Sequence, residues 1–80
     1  MLRLTAKTRL KPEEVMKKAL DFFGAGGCGL KVAEQSNTCA SFEGASGSVF
    51  ITACSDGKRT KVDMETMEWE YQVKEFARKI

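Results

Sequence analysis

Residues 30–65 read as four runs of alternating apolar and polar residues joined by short turns. This pattern constrains the fold more than any other feature, because short turns can join only antiparallel neighbours. The runs cover residues 30–35, 38–43, 48–55 and 59–65. Leu30 and Val32 point inward in the first run. In the third, Val49, Ile51 and Ala53 oppose Phe50, Thr52 and Cys54. In the fourth, Thr60, Val62 and Met64 oppose Arg59, Lys61, Asp63 and Glu65. The turns fall at Ser36-Asn37, at residues 44–47 and at Asp56-Gly57, the last a strong hairpin signal.

The flanks complete the architecture. Residues 2–10 alternate, with Leu2, Leu4, Ala6, Thr8 and Leu10 on one face and Arg3, Thr5, Lys7 and Arg9 on the other. Pro12 then opens a helix, with Glu13 and Glu14 at its positive end. Val15, Met16, Ala19, Leu20, Phe22 and Phe23 follow at helical spacing, and Gly24 is expected as the C-terminal cap. Thr66 is the expected N-cap of a last helix, whose stripe is Trp69, Val73, Phe76, Ala77 and Ile80. The first strand must join the sheet, since alone it leaves its backbone groups unpaired. The expectation is a single α+β domain over residues 1–80, in the order β-α-β-β-β-β-α. Its five-stranded antiparallel sheet carries both helices on one face. The pattern runs from Leu2 to Ile80, as expected of a domain without tails.

The chain has 80 residues, room for one core. Met1 leads straight into a strand pattern rather than a basic-then-apolar leader, and no apolar run approaches the length of a membrane span. A cytoplasmic protein with no membrane partner is expected. Cys28, Cys39 and Cys54 have no C-x-x-C spacing and no histidine to help them hold a metal. They read as reduced, mostly buried thiols.

Catalytic signals are thin. Histidine is absent, no carboxylates pair at a suggestive spacing, and there is no nucleophile elbow. Cys28 is the most reactive-looking thiol, but it follows a helix C-terminus, the wrong end to activate it. Gly24, Gly26 and Gly29 match G-x-G-x-x-G. A dinucleotide fingerprint follows a strand and opens a helix, whereas this one follows a helix and opens a strand, so it reads as a connector. The G-x-x-G pairs at Gly26/Gly29 and Gly44/Gly47 do not join two helices, as the KH clamp does, and read as turns. No enzyme activity, cofactor or metal is expected.

Binding surfaces remain. Helices on the inward face leave Arg3, Thr5, Lys7, Arg9, Lys31, Phe50, Thr52, Arg59 and Lys61 on an open sheet face. That set suits nucleic acid, although Glu43, Asp63 and Glu65 dilute its field and the net charge is only +2. Phe50 with Cys39 and Cys54 also forms a small apolar patch through which a homodimer is expected to form. A third candidate is an apolar-ligand space between sheet and helix, lined by Phe22, Phe23, Met64, Met67, Trp69 and Phe76. The leading expectation is a small non-catalytic binding domain for a protein or a small apolar ligand. Nucleic-acid binding on the open face is the alternative.

The β-α-β4-α order resembles one repeat of the TATA-box-binding-protein fold. It is also similar to a pared-down helix-grip domain. The likeness is one of element order and spans nearly the whole chain. The first resemblance implies an open concave sheet with Phe50 as a wedge between base steps. The second implies an apolar ligand gripped between sheet and helix. The double-stranded-RNA-binding domain is a poorer match. It carries lysines at the start of its last helix, where this chain has Glu65, Glu68 and Glu70.

Overall fold

In a computed structural model of the chain, residues 2–24, 27, 29–44 and 47–80 are described. The elements are β1 (Leu2–Thr8), α1 (Pro12–Phe23), β2 (Lys31–Gln35), β3 (Cys39–Glu43), β4 (Ser48–Asp56), β5 (Arg59–Met67) and α2 (Glu70–Lys79). All strand pairs are antiparallel, in the spatial order β1-β5-β4-β3-β2. The meander is therefore β2 to β5, and β1 closes onto β5 at the far edge. The order of elements and the α+β class are those expected from the sequence.

The alternation sorts the strands onto two faces. Ala40, Phe42, Val49, Ile51, Ala53, Val62 and Met64 are fully buried on one side. They meet Val15, Met16, Ala19 and Phe23 of α1 and Val73 and Phe76 of α2 in one core. Helix α1 lies over β3 and β4, and α2 over β1 and β5. Phe23 joins α1 to the sheet and to α2, with its ring centroid 5.5 Å from Phe42 and 5.4 Å from Phe76. The interior is filled by these rings, so Phe23, Met64 and Phe76 act as core. Among the described residues no helix is long and apolar enough to cross a membrane.

Several local expectations need correction. Thr66 does not cap α2. Strand β5 runs on through it, and its buried hydroxyl donates to the Ser48 carbonyl at 2.8 Å. The chain turns instead at Glu68, with φ 75°, and Trp69 takes the cap position. Met67 faces away from the core and is 47% exposed. Val32 is opposite Phe42 on the inner face, yet stays exposed on the edge strand, because α1 packs chiefly on β3 and β4. Strand β1 ends at Thr8, and Arg9 and Leu10 belong to the turn. The β4–β5 hairpin turns on Gly57 and Lys58 rather than on Asp56 and Gly57, with Asp56 already paired to Arg59. Gly57 takes φ 67° at the first central position, as a type II′ turn requires. Gly24 ends α1 with φ −74°, not in the left-handed region. It is glycine because a Cβ there would meet the Leu20 carbonyl oxygen at 2.4 Å.

Candidate functional site

The outer sheet face carries no helix. The register lines its residues into rows across the strands. One row reads Arg3, Glu65, Phe50, Ser41, Glu34 from β1 to β2. The next reads Thr5, Asp63, Thr52, Cys39. Phe50 stands in the middle of the first row, 42% exposed. Arg3, Thr5, Thr52, Asp63 and Glu65 surround it in a cleft of about 410 Å3.

The polar groups of this cleft are already engaged with one another. Arg3 Nε donates to Glu65 Oε1 at 2.8 Å, and its Nη2 joins the same oxygen. Thr5 Oγ1 donates to Asp63 Oδ1 at 2.8 Å. The cations Arg3, Lys7, Lys31, Arg59 and Lys61 are matched in number by Glu34, Glu43, Asp56, Asp63 and Glu65 on the same face. Its field is nearly balanced, with acidic groups next to the aromatic.

The nine expected site residues do not form one site. Arg3, Thr5, Phe50 and Thr52 come together in the Phe50 cleft. Lys31 stands at the opposite sheet edge, beside Glu43. Lys61 lies between Lys7 and Cys54 in the register. Lys7, Arg9 and Arg59 instead line a second cleft of about 490 Å3 at one end of the sheet, with Thr8, Leu10, Lys18, Lys79 and Ile80. Lys18 and Lys79 could not be foreseen, since each reads in sequence as an ordinary solvated helix position. Asp63 and Glu65 were visible in the outward alternation of β5, but their pairing with Thr5 and Arg3 needed the β1–β5 register.

Cys39 and Cys54 share the Phe50 face as alternation predicts, but are not buried as thiols usually are. Cys39 is half-buried and Cys54 exposed, both on the outer face and not in the core. Cys39 Sγ lies 3.2 Å from Ser36 Oγ, within the β2–β3 turn. Cys28 and Gly26, which belong to the glycine-loop motifs, fall outside the described residues, as do Ala45 and Ser46 between Gly44 and Gly47. Among the described residues no three Cys, Asp or Glu side chains are grouped to hold a metal. No protein-family model matches the chain, and no curated protein matches it.

Proposed function

We propose that this chain is a non-catalytic protein-interaction domain whose contact surface is the outer sheet face, and that the face takes a second copy of the chain. The row centred on Phe50 carries the reading. Its two ends, Arg3 and Glu34, have opposite charge and lie two strands to either side of the aromatic. A two-fold axis along β4 at Phe50 therefore sets Phe50 against its own copy. It also sets each Arg3 over the partner's Glu34. Packed sheets cross at about 30°, which displaces the row ends, about 10 Å from the axis, by about 5 Å. Arg and Glu side chains span that offset.

The anatomy fits a protein contact: one exposed aromatic anchor inside a rim of polar groups that are already hydrogen-bonded. A five-stranded face of this length offers roughly 600 Å2, below the ~800 Å2 per partner of a standard interface. The dimer is accordingly weak and reversible, with a dissociation constant of roughly 10–100 μM.

Sedimentation equilibrium from about 10 μM to 1 mM tests this, a range chosen to bracket that constant. The mass should rise toward a dimer in the wild type and stay monomeric in Phe50→Glu. Arg3→Glu and Glu34→Arg should each weaken association, and the double exchange should restore it. A wild type that stays monomeric throughout removes the second copy as occupant. A dimer indifferent to all these changes uses another surface.

Two other readings have less support. Nucleic acid on this face has Phe50 and the flanking cations in its favour, and the balanced charge against it. Amide shifts at Thr5, Lys7, Phe50, Thr52 and Lys61 on adding a short mixed-sequence DNA, fading with salt, would promote it. An apolar ligand between helix and sheet would have to displace the Phe23 ring, which packs on both Phe42 and Phe76.

A further inference from the structure

We infer that the cleft between the β1–α1 turn, the start of β5 and the end of α2 is a binding site for a phosphate-bearing anion. Of the 13 basic residues in the chain, Lys7, Arg9, Lys18, Arg59 and Lys79 line this one cleft, and none of the 11 acidic side chains does. They arrive from β1, the turn after it, α1, β5 and α2, so the convergence is a product of the fold. Carboxylates stand beside the cleft: Asp56 is 3.8 Å from Lys7 and opposite Arg59 in the register, and Asp21 shares a neighbouring cleft with Lys18 and Lys79. The five cations outnumber these two carboxylates, neither of which lines the cleft, so the charge around it stays net positive.

The cleft wall is fixed before any ligand arrives. The Leu10 N–H donates to Thr8 Oγ1 at 3.2 Å, and Thr60 Oγ1 donates to the Leu10 carbonyl at 2.5 Å. Thr8 and Thr60 are themselves buried, at 7% and 3% exposure. The backbone that carries Arg9 is thus tied from both sides to the sheet. The space, about 490 Å3, lies within the usual range for a small ligand. Two arginines supply the forked donors that match phosphoryl oxygens, and three lysines supply point charge. Like charges held this close repel one another, and a multivalent anion removes that repulsion.

This site is separate from the Phe50 face and does not rest on self-association. The test is an amide NMR titration with sodium pyrophosphate at low ionic strength, beside sodium chloride at matched ionic strength. Saturable shifts should appear at Arg9, Leu10, Lys18, Arg59 and Lys79 with pyrophosphate and not with chloride. Arg9→Gln and Arg59→Gln should each weaken binding about tenfold. Lys18→Gln, across the cleft, should also weaken it, while Lys31→Gln, on the far sheet edge, should not. All four positions are exposed, and the spectrum itself reports whether each variant is folded. Octathymidylate in place of pyrophosphate separates the sources of phosphate. Tighter binding with a steep salt slope assigns the cleft to strand phosphates, and pyrophosphate binding alone assigns it to a free polyphosphate. Equal shifts with chloride and pyrophosphate, or affinities unchanged in the cleft variants, overturn the inference.

Discussion

Phe23 is the position at which the arrangement of layers can be tested most sharply. Its ring is fully buried. Its centroid lies 4.9 Å from Phe22, 5.5 Å from Phe42 and 5.4 Å from Phe76, joining α1 to the sheet and to α2. Truncation to Ala costs about 3–5 kcal/mol through lost burial and the cavity left behind. At roughly 0.05–0.15 kcal/mol per residue, a chain of this length has only about 4–12 kcal/mol in all, so Phe23→Ala stands at the edge of folding. Phe23→Leu is the better probe. It keeps most of the apolar volume and loses three ring contacts, worth about 0.5–1.5 kcal/mol each beyond burial, part of which leucine recovers. The expected loss is about 2 kcal/mol. A domain of this size moves about 4–8 °C per kcal/mol, so Tm should fall by about 8–16 °C. Phe50→Leu is the control: the same chemistry on the uncovered face, with an expected change within about 0.5 kcal/mol. Thermal and urea unfolding followed by circular dichroism give both numbers. Samples must be dilute, so that self-association adds nothing to the apparent stability of the wild type. Equal losses at the two positions would refute the assignment of covered and open faces.

Four further outcomes follow from local geometry. Gly47→Ala should cost more than about 2 kcal/mol in urea unfolding, because the new Cβ would lie 2.0 Å from the Met67 carbonyl oxygen, a backbone atom that cannot move alone. Gly57→Ala, which has open space and φ 67°, should cost only about 1 kcal/mol by the same measurement. Thr66→Val preserves shape but removes the hydroxyl donor to the Ser48 carbonyl, so about 1 kcal/mol should be lost in thermal melts, and no loss would mean that water replaces the donor. In timed iodoacetamide labelling read by mass spectrometry, Cys54 should be modified before Cys39, which is half-buried and in contact with Ser36 Oγ.

The period-2 alternation made the strands legible, and it worked because each strand has one buried and one open face. Val49, Ile51 and Ala53 could be placed in the core from spacing alone, and the helix stripes Val15–Met16–Ala19–Phe23 and Val73–Phe76 likewise. Alternation cannot tell a residue how far the covering layer extends. Val32 has the right parity for the core, but it stands on the edge strand, and α1 packs chiefly on β3 and β4. The same limit explains Thr66. A threonine ahead of an acidic run looks like a cap, yet here its parity in β5 continues past Glu65, and burial of its hydroxyl against Ser48 outweighs any capping. The cysteines drew two expectations, burial from residue type and the open face from alternation. Small thiols are usually buried, but Cys39 and Cys54 share the parity of Thr52 and Phe50, and parity decided.

The candidate sites were less legible because charge is organised between strands and not along them. A net charge of +2 describes a nearly neutral molecule, and by itself it argues against any anion partner. Folding divides that total unevenly. Across the outer face, antiparallel register places Arg3 beside Glu65 and Thr5 beside Asp63, so cations and anions offset one another around Phe50. At one end of the sheet it does the opposite. Residues 7, 9, 18, 59 and 79 are scattered along the chain with acidic residues near several of them. None of the acidic side chains lines the cleft, although Asp56 and Asp21 stand beside it, and five cations meet around it. A field of several unit charges within a space of that size is set by local convergence, since screening confines each charge to about 8 Å at physiological salt. The relevant quantity for an anion is therefore the charge around the cleft, where five cations outnumber the neighbouring Asp56 and Asp21. The same screening keeps that field from dominating the balanced face around Phe50. Two surfaces of different chemistry can thus coexist on one small domain.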